Sequence, residues 1–207
     1  MKIKICGIKD EKTALFVSQL ADFIGFIFYK KSPRYIDLET VENISKKLPP
    51  TIIKVGVFVN EDVDCVIDIV KKVGLDAVQL HGEESQTDID LLKKKCNIVI
   101  IKAVGIDEKF DEEIMKYYKV DAFLLDTKIG NSMGGTGKTF DWKNYLHLKK
   151  YGNIILSGGL NLDNIEEAIK IYRPYAVDIN SGVEDSPGIK NLDKIEKIVN
   201  KIKELDI

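Results

Sequence analysis

Lys2-Ile3-Lys4-Ile5-Cys6-Gly7 alternates polar and apolar residues and breaks at a glycine just after a cysteine. Alternation over a few residues predicts a β-strand, and Gly7 can turn the chain where other residues would be strained. Such a strand carries the Cys6 thiol to its C-terminal mouth, the end at which parallel α/β folds do chemistry.

Working outward, the same unit recurs. Asp10 is placed to cap a helix with Ala14, Val17 and Ala21 on one face. The apolar run Phe23 to Phe28 reads as a buried parallel strand, and a polar loop, Tyr29 to Arg34, leads to a helix capped by Asp37. That helix carries Leu38, Val41, Ile44 and Leu48, and Pro49-Pro50 stops it. Further strands are expected at Ile52–Val59, Asp76–His81, Asn97–Val104, Asp121–Asp126, Asn153–Ser157 and Tyr175–Ile179. Between them the spacing predicts a helix capped by Asn60, one burying Ile89 and Leu92, a weaker one over Phe110–Tyr118, and one around Trp142 and Leu146. A helix capped by Asn161 and a last one from Leu192 to Leu205 complete the series. Eight strand–helix alternations, one every ~25 residues, match a (β/α)8 TIM barrel better than a doubly wound open sheet. Two strands alternate polar and apolar residues, and a barrel interior admits polar side chains near its mouth.

The chain has 207 residues, 44% hydrophobic and 31% charged, which suits one barrel domain spanning residues 1–207. Lys+Arg 31 against Asp+Glu 33 gives no basic surface for nucleic acid. Charges at every second or third N-terminal residue speak against a signal peptide or a membrane span, so a cytoplasmic location is expected. Three scattered cysteines, Cys6, Cys65 and Cys96, do not make a disulfide framework, and two distant histidines do not make a zinc site.

Ser157-Gly158-Gly159-Leu160-Asn161 is the clearest ligand cradle. A strand ends, two glycines bare backbone N–H groups, and a helix is expected at once, so amides and helix dipole converge on an anion. Asn180-Ser181-Gly182 after the eighth strand is its partner, at the position where barrels commonly hold phosphate. Gly134-Gly135-Thr136-Gly137-Lys138-Thr139 ends like a Walker A loop, but Ser132 stands where that loop needs a glycine. A lid that closes over substrate fits this stretch better. Asp126 is expected where its strand reaches the mouth.

Lys4 to Ile8, Ser32-Pro33-Arg34-Tyr35, Val78 to Gly82, Gly134 to Trp142, Ser157 to Leu160 and Asp178 to Glu184 resemble, in order, the signature segments of phosphoribosylanthranilate isomerases. The resemblance covers nearly the whole chain. It implies a (β/α)8 barrel that converts N-(5-phosphoribosyl)anthranilate to 1-(2-carboxyphenylamino)-1-deoxyribulose 5-phosphate in tryptophan biosynthesis, with neither metal nor organic cofactor. Carried over by motif, Cys6 is the general base and Asp126 the general acid. Arg34 holds the anthranilate carboxylate, while Gly158, Gly159, Ser181 and Gly182 hold phosphate. Gln79, His81 and Asp178 position substrate. The partner implied is a small phosphosugar, and both monomer and homodimer stay open. Asn180 departs from the serine more usual there, and the fifth helix is often reduced to a loop in this family. A histidine-pathway isomerase would be expected to use carboxylates at both catalytic positions, which Cys6 opposes.

The chemistry suits these side chains. Opening the ribose ring takes a proton on its oxygen, and the iminium that results makes the C2′ proton acidic enough for a thiolate to remove. Arg34 offers a planar fork matched to a carboxylate. Lys4 shares the parity of Cys6, so the two face one side of the strand. If that side is the barrel interior, the buried ammonium needs a carboxylate, with Asp178 and Asp126 as candidates. It would then favour the Cys6 thiolate. The alternative is a Lys4 that snorkels to solvent at the lower end.

Overall fold

Eight parallel strands pair in chain order and the eighth returns to the first, closing a barrel. The computed structural model describes residues 1–127 and 139–205. The strands are β1 Lys2–Cys6, β2 Phe23–Ile27, β3 Ile53–Phe58, β4 Ala77–Leu80, β5 Val99–Ile106, β6 Ala122–Thr127, β7 Asn153–Leu156 and β8 Ala176–Ile179. Closure aligns Lys4 of β1 with Asp178 of β8. The helices are α1 Glu11–Ser18, α2 Leu38–Ser45, α3 Val63–Val73, α4 Gln86–Cys96, α5 Glu113–Tyr117, α6 Ile165–Tyr172 and α7 Leu192–Glu204. A short hairpin follows β8, made of β9 Glu184–Ser186 and β10 Ile189–Lys190.

Alternation along each strand sorts the side chains into two cores. One set, including Ile5, Ile24, Val78, Ile100, Leu125 and Val177, packs outward against the helices. The other, Phe23, Val55, Ala77, Ile101, Ala103, Ala122, Leu124, Ile155 and Ala176, fills the barrel interior. Above that filling the inward positions change character. Two residues beyond Ala77 stands Gln79, beyond Leu124 stands Asp126, and beyond Ala176 stands Asp178. The apolar plug thus forms the floor on which the polar mouth rests.

The capping expectations hold at Asp10 and Asp37, whose carboxylates accept the backbone N–H of Thr13 and Thr40. At the two asparagines the outcomes differ. Asp62 caps α3, accepting from the N–H groups of Asp64 and Cys65. Asn60 instead turns the chain with φ +51° and accepts the N–H of Glu83 across the gap to the next loop. Asn164 precedes α6 without a side-chain cap bond. Asn161 caps the turn that leads into α6: its side-chain oxygen accepts the Asp163 N–H, its carbonyl accepts the Asn164 and Ile165 N–H groups, and its carboxamide nitrogen donates to the Gly159 carbonyl.

Other differences are local. The fifth helix is only Glu113–Tyr117. The stretch after β6 forms a 3-10 helix over Trp142–Tyr151, in which Leu148 is buried and Leu146 exposed. Asn97 ends α4 in the left-handed region, so β5 starts at Val99. Ala21 lies beyond the end of α1. The expected lid, Gly134 to Thr139, lies outside the described residues except at Thr139.

Candidate active site

A cavity of about 430 Å³ opens at the C-terminal mouth of the barrel. Its wall brings together Cys6, Arg34, Gln79, His81, Asp126, Gly158, Gly159, Asp178 and Ser181. Of the residues expected at the site, Gly182 alone stands behind the wall. It is packed so closely that a Cβ there would collide with the Leu160 carbonyl oxygen. The two glycine turns are therefore seated on each other, β7's loop against β8's.

Cys6 is buried among Ile27 and Val57, with Tyr29 alongside. It pairs in register with Gly25 of β2, and a Cβ at Gly25 would lie 2.6 Å from the Cys6 sulfur. The missing side chain makes the room in which the thiol sits. Lys4 lies one inward position below, fully buried, with Nζ donating to Asp178 Oδ2 at 3.0 Å. It does not snorkel. Burial works against the Lys4 ammonium, but Asp178 and the Cys6 thiol outweigh it and hold it above the ordinary lysine range. Burial also pushes the Cys6 thiol up. Lys4 and Lys190 oppose that push, Asp178 adds to it, and the thiol stays above its ordinary value.

On the other side of the mouth, Gln79 Nε2 lies 3.1 Å from His81 Nδ1. With the carboxamide nitrogen as donor, Nδ1 is the acceptor in the tautomer that this contact favours. His81 Nε2 in turn faces Asp126 Oδ2 at 3.4 Å. The side chains form a chain that ends on the Asp126 carboxyl. Gln79 Oε1 and Asp178 Oδ1 are buried and have no hydrogen-bond partner among the described residues.

Gly158 and Gly159 have φ of +85° and +68°, conformations that glycine adopts without strain. Asn161 and Asn164 both donate side-chain N–H groups to the Gly159 carbonyl, at 3.2 and 2.9 Å. That turns the carbonyl aside. Among the described residues, the backbone N–H groups of Gly158, Gly159 and Leu160 find no acceptor. Because α6 starts only at Ile165, the cradle is built from loop amides and not from a helix terminus directly behind it.

Two residues that the sequence left without a role belong to this site. Glu184 grips Arg34 through a paired contact, Nε to Oε1 at 2.9 Å and Nη2 to Oε2 at 2.7 Å. Lys190 donates to Glu184 Oε1 at 2.7 Å and to both oxygens of Asn180. Glu184 ended a signature segment, and Gly188, at φ +85° between β9 and β10, was the local sign that the chain folds back there. Among the described residues, no group of three or more His, Cys, Asp or Glu is arranged to hold a metal ion.

Residues 3–201 match the family of N-(5′-phosphoribosyl)anthranilate (PRA) isomerase. The N-(5′-phosphoribosyl)anthranilate isomerase of Thermotoga neapolitana is 46% identical over 207 residues, covering 99% of this chain and 100% of the relative. The crystal structure of the Thermotoga maritima enzyme superposes with a TM-score of 0.90 at 43% identity, covering 99% of each chain. A structure of phosphoribosyl anthranilate isomerase in complex with reduced 1-(o-carboxyphenylamino)-1-deoxyribulose 5-phosphate matches with a TM-score of 0.87 at 40% identity, again over 99% of each. Family match, full-length relatives and superposed barrels agree, and the chain belongs to the N-(5′-phosphoribosyl)anthranilate isomerase family.

Proposed function

We propose that this protein catalyses the Amadori rearrangement of N-(5-phosphoribosyl)anthranilate to 1-(2-carboxyphenylamino)-1-deoxyribulose 5-phosphate, an aldose–ketose isomerisation in tryptophan biosynthesis. The observation that carries the reading is a single cavity lined by a thiol, a carboxyl, a guanidinium and a twin-glycine turn. Each answers one feature of that substrate. The turn at Gly158 and Gly159, with Ser181 and Gly182 from the neighbouring loop, takes the phosphate. Arg34 takes the anthranilate carboxylate, and Gln79, His81 and Asp178 position the ribose between them.

Asp126 gives its proton to the ribose ring oxygen. The C1′–O bond breaks as the anilino nitrogen's lone pair forms the C1′=N bond of an iminium. The Cys6 thiolate then removes the C2′ proton, and the electrons of that C–H bond form C1′=C2′ and neutralise the nitrogen. Tautomerisation of this enolamine gives the ketose. The thiolate must be available for the second step, and Lys4 is the fixed charge that favours it most, ahead of Lys190. A second carboxylate in place of Cys6 would suit a different phosphosugar isomerase.

The partner is accordingly a small phosphosugar. No described helix is long and apolar enough to cross a membrane, and we read the location as the cytoplasm. A solved relative is described as a dimeric enzyme from Thermotoga maritima, and a homodimer is the first assembly to test here.

The deciding experiment is Cys6→Ala. Loss of anthranilate-derivative fluorescence should cease in the variant, while the reduced product analogue still binds with near-wild-type affinity. Full turnover by Cys6→Ala would remove the base assignment and the mechanism with it.

A further inference from the structure

A guanidinium has two edges able to meet a carboxylate in parallel. In Arg34 the Nε–Nη2 edge is taken by Glu184. The remaining edge, Nη1 with the second Nη2 hydrogen, finds no acceptor among the described residues, and Arg34 lines the cavity. Glu184 thus fixes the plane of the fork while leaving half of it open.

An arginine paired with one carboxylate is neutral in sum and has little attraction for another. Lys190 changes that balance. Its Nζ sits 2.7 Å from Glu184 Oε1, and the side chains of Lys190 and Glu184 are 2% and 4% exposed. Arg34, Glu184 and Lys190 together carry one surplus positive charge. The nearby Lys4–Asp178 pair is neutral in sum and Cys6 as a thiol is uncharged, so neither cancels the surplus that an arriving ligand meets. Burial holds the Lys190 ammonium below the ordinary lysine range, with Arg34 adding to that push and Glu184 and Cys6 only partly restoring it. The backbone accommodates this cluster closely. A Cβ at Gly7 would lie 2.8 Å from Asn180 Oδ1 and 3.0 Å from Arg34 Cδ.

We propose that Glu184 and Lys190 are positioning residues that make the Arg34 fork selective for a ligand whose aromatic ring carries a carboxylate. Glu184 orients the fork, and Lys190 restores the positive charge that Glu184 would otherwise cancel. The inference rests on the isomerase reading above and assigns the means by which that same site recognises one end of its substrate.

The test compares two ligands in calorimetry: the reduced product analogue and its counterpart lacking the ring carboxyl. In the wild-type protein, loss of the carboxyl should weaken binding roughly tenfold or more, the scale of a charge-assisted hydrogen bond. In Lys190→Gln, which keeps a donor and drops the charge, the carboxylated ligand should weaken by about that factor while the other is unchanged. Turnover should show KM raised by about that factor and, because Lys190 also favours the Cys6 thiolate, the base limb of the pH–rate profile moved alkaline. Lys190→Arg should restore the wild-type preference, and Lys190→Met serves if the glutamine variant does not fold. Equal weakening of both ligands in the charge-removing variant overturns the proposal, as does a wild-type protein that binds both ligands equally. A wild-type protein that binds neither overturns the isomerase reading and this inference with it.

Discussion

Lys4 has no contact with solvent, and its charge is shared between a carboxylate it touches and a thiol above it. Its depth was legible because a strand has a period of two, so a residue two before Cys6 must share its side of the sheet. The Asp178 partnership follows from closure, which sets Lys4 beside Asp178 in register. Glu184 and Lys190 were not legible in the same way. Arg34 lies 150 residues before Glu184, and no local pattern announces a contact across that distance. A Lys4→Met exchange removes the attraction that opposes the burial of Cys6, so the thiol should titrate at still higher pH. The limb of the pH–rate profile reporting the base should move alkaline, with less activity at any pH below it. Thiolate absorbance of the free protein should shift in the same sense. An unmoved limb would leave Lys4 with a structural role only.

At the scale of elements, the strands were the easiest to read and the caps the hardest. Asn60 and Asn161 are both good capping residues on chemistry alone, yet each precedes a second candidate, Asp62 and Asn164. Asn60 is drawn away to bridge to Glu83, whereas Asn161 caps the turn leading into α6 with its oxygen and ties down the Gly159 carbonyl with its nitrogen. At Asn60, long-range demand at the mouth of the barrel overrode local preference. The twin-glycine turn shows the same priority. Gly158 sits at φ +85°, and a Cβ there would lie 2.6 Å from the Thr127 backbone nitrogen. Gly158→Ala should therefore cost about 1–2 kcal/mol from the left-handed backbone alone. It should also weaken binding of phosphate-bearing ligands at least tenfold, on the scale of a lost charge-assisted contact. Titration with the product analogue and with its dephosphorylated form checks this. A penalty equal for both would mean that the turn serves stability and not phosphate.

For the whole molecule, eight repeats of strand and helix made the barrel readable before any side chain was placed. The 3-10 stretch over Trp142–Tyr151 and the short α5 escaped the same reading, because a brief apolar pattern does not distinguish a full helix from one or two turns. The ring closes where β1 meets β8, and the Lys4–Asp178 pair lies on that seam. Breaking such a buried pair from one side leaves an uncompensated charge, so Lys4→Met should lower stability by about 3–5 kcal/mol. The double exchange Lys4→Met/Asp178→Leu should recover most of that loss in a denaturant titration, because it removes both charges together. No recovery would show that the seam needs the ion pair itself.

The two halves of that seam are 174 residues apart. On the ribosome, the lysine is made early and its counter-ion arrives only when nearly all the strands have emerged. Until then the growing polypeptide must keep that ammonium in water, and its hydrophobic interior cannot seal around it. The last parallel strand therefore does more than finish the wall: its arrival gives the buried ammonium its counter-ion, and the loop and hairpin that follow it complete the reactive centre. Truncated translation products would be left both loosely packed and catalytically silent.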